Sequence, residues 1–168
     1  MGGYENGPDV ISANLKPAHL KLDIGNRITL PKYISDRISW LNEGSESEAW
    51  LWVVEEGRYR LLSNADVDSD PQLHSIRALI RPDGRIERVI ATRVVEANRT
   101  ALIARLIPVD VKKHGSSCRI PIPKDVEIFA PPTCNLKSFS VLLSPEGYWE
   151  IWYTDLLRKA ALNGSSEL

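Results

Sequence analysis

The sequence predicts a mainly β barrel with short helices, built from two β-α-β-β units in one chain, with an extra β-hairpin between them. Three observations predict it. The hexapeptide Arg27-Ile28-Thr29-Leu30-Pro31-Lys32 recurs as Arg119-Ile120-Pro121-Ile122-Pro123-Lys124, an offset of 92 residues. Each copy is followed by a helix-like segment and then two apolar strands around a glycine turn, at Gly57 and Gly147, an offset of 90. The 168 residues are 43% hydrophobic and 26% charged, enough apolar material for one ordinary core. A single unit would leave sheet edges uncovered, whereas two interlocking units close on one another.

In the first unit, the opening strand lies near Leu20-Lys21-Leu22, within Val10–Asp23. Ile28 and Leu30 alternate as a half-buried strand requires, and Pro31 ends that strand and suits a first helical turn. Ile34, Ile38 and Leu41 then recur at i, i+4, i+7 on one helical face, and Gly44 begins a loop. Trp50–Val54 and Tyr59–Leu62 form a hairpin about Gly57. The acidic run Ala65–Pro71 reads as a connector. Ile76–Ile80 and Ile86–Ile90 flank Arg81-Pro82-Asp83-Gly84-Arg85, a turn signal that reads as the extra hairpin.

The second unit opens on a strand within Ala101–Val111 and turns through Lys113–Ser117. A shorter apolar face at Val126 and Phe129 or Ala130 follows, stopped by Pro131-Pro132. Phe139–Leu143 and Tyr148–Trp152 make its hairpin, and Asp155–Leu162 reads as a short helix with a frayed end. The chain thus divides into a flexible segment 1–14, a first repeat 15–64, a linker and hairpin 65–100, a second repeat 101–155, and a tail 156–168.

The stretch Leu20-Lys21-Leu22-Asp23-Ile24-Gly25-Asn26-Arg27-Ile28-Thr29-Leu30-Pro31-Lys32-Tyr33-Ile34 is similar to the signature of AbrB/SpoVT-type swapped-hairpin domains. That signature runs strand, Asp, Gly-Arg, apolar-x-apolar-Pro, short helix. The duplicated order, with Glu150-Ile151-Trp152 after the second hairpin, resembles the MraZ-like family in particular. The likeness covers about three quarters of the chain, most sharply at 22–34, 119–124 and 147–152. It implies an interlocked swapped-hairpin or double-psi-like barrel and a DNA-binding transcriptional regulator, often a homo-oligomer; related domains serve as antitoxins in toxin–antitoxin pairs. Where the family has Gly before the Arg, this chain has Asn26, the residue next most tolerant of positive φ. The second copy has Cys118 there, with no Asp four residues before Arg119.

A net charge of −1 excludes a wholly basic nucleic-acid binder, but the charges are segregated. Residues 16–40 sum to +3 and 41–57 to −5; residues 105–124 sum to +4 and 125–150 to −3. Both repeats run basic from strand to helix and acidic at the hairpin. A two-fold barrel would join the two basic stretches into one face for phosphate contacts. The candidate nucleic-acid-binding residues are Lys21, Arg27, Lys32, Arg37, Lys112, Lys113, Arg119 and Lys124. Arg27 and Arg119 read either as DNA contacts or as structural partners of Asp23 or a loop carboxylate. Lys32 and Lys124 oppose a helix dipole, which hints at an external partner. Arg77, Arg81, Arg85, Arg88 and Arg93 on the extra hairpin either extend this face or are simply solvated. The five tryptophans read as core or interface.

No catalytic or metal site and no cofactor is expected. His19, His74 and His114 are isolated in the sequence, and no hydrolase, zinc, Walker or dinucleotide motif is present. Asp66-x-Asp68-x-Asp70 imitates a calcium loop, but Pro71 replaces its glycine and Arg77 its terminal glutamate. Asn98-Arg99-Thr100 is a sequon without a recognisable secretory signal. Cys118 and Cys134 read as two reduced small residues, a disulfide being open by count. No apolar run is long enough to span a membrane, so a cytoplasmic or nucleoid location is expected. The competing reading is a protein-interaction module, antitoxin-like or an assembly subunit, that keeps the fold without binding DNA.

Overall fold

A computed structural model describes residues 16–41, 46–80, 104–114 and 117–167. Among them are eight strands in one antiparallel sheet that is nearly closed into a barrel: β1 (Ala18–Lys21), β2 (Arg27–Leu30), β3 (Glu46–Glu55), β4 (Arg58–Ser63), β5 (Leu106–His114), β6 (Ser117–Pro121), β7 (Ser138–Leu143) and β8 (Trp149–Tyr153). Their order is β1-β7-β8-β4-β3-β5-β6-β2. The two end strands of that order, β1 and β2, are consecutive in the chain. Their turn is tied by Asp23 N donating to Arg27 O at 2.9 Å and Asn26 N to Asp23 O at 3.0 Å.

The order is symmetric about the sequence repeat. β1 to β4 surround its first occurrence and β5 to β8 its second, and these sets are termed the two copies. The first strand of each copy pairs with the third strand of the other, β1 with β7 and β5 with β3. The second strands pair with each other, β2 with β6, and so do the fourth, β4 with β8. Exchanging the copies leaves every one of these pairings unchanged. The register locates the axis of that exchange. Ile28 lies opposite Ile120, its own counterpart in the repeated hexapeptide. Across the barrel Arg60 lies opposite Glu150, its counterpart when Gly57 is matched to Gly147. A pseudo-twofold axis therefore passes through the barrel wall at these two points.

Period-two alternation fills the interior. Ile28, Leu30, Leu51, Val53, Tyr59, Val111, Ile120, Phe139, Ile151 and Tyr153 are all essentially inaccessible. The Tyr59 hydroxyl donates to Val126 O at 2.6 Å, fixing the barrel to a 3-10 helix at Lys124–Phe129. The counterpart in the first unit is a single turn, α1 (Lys32–Ser35). It is shorter than the heptad spacing suggested, yet Ile34, Ile38 and Leu41 are all buried, because irregular turns carry the last two inward.

The hairpin turns stand where expected. Gly57 has φ 84° and Gly147 φ 92°. A Cβ on Gly57 would lie 2.8 Å from Pro131 Cδ and 3.0 Å from Leu156 Cδ2. Gly57→Ala is expected to lower stability by roughly 2 kcal/mol or more, since left-handed strain adds to that overlap. A urea titration checks this; an unchanged midpoint would contradict the tight approach.

Residues 64–80 differ from expectation. The presumed linker is two helices, α2 (Asn64–Asp68) and α3 (Pro71–Arg77). Ser63 and Asp66 form a reciprocal capping box on α2. Asp70 caps α3 through Gln72 N and Leu73 N, with Pro71 in the first helical position. Ile76 and Arg77, expected to begin the extra hairpin, instead end α3. The pair of helices covers the outer face of the sheet in a second apolar cluster of Trp50, Leu62, Val67, Leu73, Ile76 and Leu106. Segment 1–14, the hairpin residues 81–100 with Arg81, Arg85, Arg88 and Arg93, and the start of the 101–111 strand lie outside the described residues. The terminal helix, α4 (Thr154–Glu167), continues through the end expected to fray. Both cysteines are free thiols, and burial pushes that of Cys118 up to about 11.

Candidate nucleic-acid interface

With Ile28, Leu30, Cys118 and Ile120 turned inward, alternation puts Arg27, Thr29, Arg119 and Pro121 on the outer face of β2 and β6. Thr29 lies opposite Arg119, and Arg119 is also opposite Lys112 of β5. Arg27 lies opposite Pro121. Arg27 and Arg119 are thus diagonal neighbours about the axis, their backbones roughly 8 Å apart. The duplication, rather than any local motif, brings these two cations of distant sequence position together.

The turn before Arg27 is tightly made. Asn26 takes φ 58°, a left-handed conformation that Asn tolerates better than most residues. Asp23 Oδ1 accepts from Arg27 N at 3.0 Å, and its Oδ2 lies 3.2 Å from Arg27 Nε. The Arg27 backbone N–H first, and its guanidinium second, hold the Asp23 carboxyl below the ordinary range. Ile24 at the tip is fully exposed.

The other candidates divide into groups. Lys32 Nζ lies 2.6 Å from Asp36 Oδ2, and Lys113 Nζ reaches the same carboxylate at 3.9 Å. The Lys32 hydrogen bond foremost, with the charges of Lys32, Lys113 and Arg37, holds Asp36 low. Arg37 Nη1 donates to Tyr33 O at 2.6 Å. Lys113 shares the inward side of β5 with Val111, lies opposite Cys118 and is only 14% exposed, so it does not share the outer face of Lys112. Lys21 is exposed on β1, and Lys124 is exposed at the start of the 3-10 helix. The structure therefore gathers Arg27, Arg119 and Lys112 on one face, and Lys32, Arg37 and Lys113 around Asp36.

One polar cluster was missed by reading the sequence. Glu150, fully buried, accepts from Arg58 at 2.8 and 3.0 Å, Arg60 at 3.0 Å and Trp152 Nε1 at 2.9 Å. Burial raises its pKa, but these donors outweigh burial and leave it below the ordinary range. Arg58 stacks over Trp152 and Arg60 over Tyr148, with 5.0 and 4.7 Å to the ring centres. Beside this cluster Trp52, Arg60, Leu62, Leu73 and Tyr148 line an open cleft of roughly 300 Å³ under α2 and α3. A charged residue between Trp149 and Ile151 in an apolar strand was the available signal.

Two histidines have partners the sequence did not suggest. His19 Nδ1 lies 2.6 Å from Ser140 Oγ, which lies 2.9 Å from Thr154 Oγ1. Ser140 and Thr154 are buried, so this chain of contacts ties β1 to β7 and α4 and exposes no nucleophile. His74 pairs with Asp68, which also pairs with Arg77. Among the described residues no group of three or more His, Cys, Asp or Glu is placed to hold a metal ion, and no helix is long and apolar enough to cross a membrane. Compared with known family models and with curated proteins, the chain matches none.

Proposed function

We propose that this protein is a DNA-binding regulator of the AbrB/MraZ-like kind, its two repeats forming a swapped-hairpin barrel within one chain. The carrying observation is the pseudo-twofold axis at Ile28 and Ile120, about which Arg27 and Arg119 share one outer face with Lys112. A two-stranded ribbon bearing cations about a dyad suits the phosphates of a duplex. The cross-pairing of each first strand with the other copy's third strand supports the swapped-hairpin assignment.

The competing reading, a protein-interaction module, is favoured by the cleft that sets Trp52 and Tyr148 beside Asp66 and Asp70, and by the carboxylates that already pair Arg27 and Lys32.

Fluorescence anisotropy with a labelled duplex of about three helical turns separates the two. Binding is expected at about 50 mM salt and is expected to weaken steeply by about 200 mM. Three phosphate contacts would give a log–log slope near −2.7, and Arg27→Ala/Arg119→Ala would flatten it by roughly 2. No binding at the lower salt would overturn the regulator reading, and a single co-purifying protein would then support the other.

A further inference from the structure

We infer that the cleft under α2 and α3 docks an arginine-bearing segment of a partner protein. This is independent of DNA binding, because the cleft and the basic face lie at opposite crossings of the pseudo-twofold axis. Trp52 of β3 lies opposite Arg60, and Arg60 lies opposite Glu150 at the second crossing. These strands supply the floor of the cleft, and Asp66 of α2 and Asp70 at the start of α3 supply its wall.

The neighbouring residues show how this face holds a guanidinium. Arg58 lies over Trp152 and Arg60 over Tyr148, and both donate to Glu150. Each arginine thus meets an aromatic face and a carboxylate, which suits a planar, weakly hydrated cation. The cleft brings the same two kinds of group together again, in the partly exposed Trp52 with Asp66 and Asp70. Asp66 Oδ2 accepts from Ser63, and Asp70 Oδ1 accepts from Gln72 N and Leu73 N. Those capping bonds hold both side chains in place and leave one oxygen of each for a ligand. Among the described residues neither aspartate forms an ion pair.

Charge favours the same occupant. The carboxylates of Asp66, Asp70, Glu146 and Glu150 outnumber the guanidiniums of Arg58 and Arg60 around the cleft. That balance attracts a cation and repels a phosphate. At roughly 300 Å³ and open to solvent, the cleft admits one long side chain with its backbone outside, as a peptide presents it. Contacts between Trp, Tyr and Arg dominate the energetics of such interfaces.

The test follows the Trp52 indole N–H signal by NMR in the full ¹⁵N-labelled chain, the probe being an end-blocked Gly-Gly-Arg-Gly-Gly peptide. A saturable shift of that signal is expected. Citrulline in place of the arginine keeps the shape and removes the charge, and should weaken binding about tenfold. Asp66→Asn/Asp70→Asn keeps the capping oxygens and should weaken it by a similar factor, with little change in urea midpoint. No saturable shift, or equal binding of the citrulline peptide, would overturn the inference. Arginine amide binding as tightly as the peptide would also overturn it, in favour of a small-molecule site. A saturating duplex should leave the peptide affinity unchanged, and failure of the protein to bind DNA would leave the inference standing.

Discussion

Glu150→Ala is expected to destabilise the protein by about 3 kcal/mol, among the largest losses available to a single substitution outside the apolar core. The carboxylate is fully buried, and it accepts from two guanidinium groups and an indole N–H. Removing it leaves Arg58 and Arg60, each more than three-quarters buried at the side chain, facing one another with only the half-exposed Glu146, 3.4 Å from Arg60, as a paired counter-charge. Their partial exposure and their aromatic partners, Trp152 and Tyr148, keep the loss below the upper end for a buried pair. Glu150→Gln retains one acceptor oxygen and the shape and should lose less. The pH dependence follows from the sign of the shift. The folded-state pKa of Glu150 is depressed relative to the unfolded chain. Its contribution is therefore complete above the ordinary carboxylate range and lost as pH falls through the depressed folded value. Urea midpoints near neutral pH and in acid check this. The gap between unaltered protein and Glu150→Ala should narrow in acid; a gap that widens would contradict the depressed pKa.

Ile28→Ala and Ile120→Ala should each cost about 3 kcal/mol, and by nearly the same amount. Both side chains are wholly inaccessible and face each other across β2 and β6. The axis relates their surroundings, so each deletion opens a similar void against the other isoleucine. In the double variant the two voids merge, and the combined loss should depart from additivity by about 0.5 kcal/mol or more. Chemical denaturation of the four proteins gives the cycle. Single losses that differ by more than about 1.5 kcal/mol would mean that the two halves pack differently at the axis.

What could be read in advance follows how local the determinants were. The repeated hexapeptide, Gly57, Gly147 and the tolerance of Asn26 for positive φ are local, and all appear in the fold. The helices at 64–77 were also local in their signals. Ser63-x-x-Asp66 and Asp70-Pro71 are caps, but a run of three aspartates reads equally as a solvated linker until Asp66 and Asp70 are seen to cap helices. Lys113 was misjudged through the strand's phase: His114 and Lys112 fix which face it occupies only once β5 is registered on β6. The neighbourhood of Glu150 marks it as a charge in an apolar strand but not its partners, because Arg58 and Arg60 lie 92 and 90 residues away.

The Arg60–Glu150 contact at the second crossing of the axis has a consequence for pairing between halves. A residue on a true dyad faces a copy of itself. A barrel made of two first halves would set Arg60 against Arg60, and one made of two second halves would set Glu150 against Glu150. Directly opposed like charges are destabilising in a sheet, and in the second case the carboxylates would also lose both guanidinium donors. Only the mixed arrangement neutralises that point. The halves are complementary in the manner of a lock and key, so covalent linkage joins two partners that already discriminate against themselves.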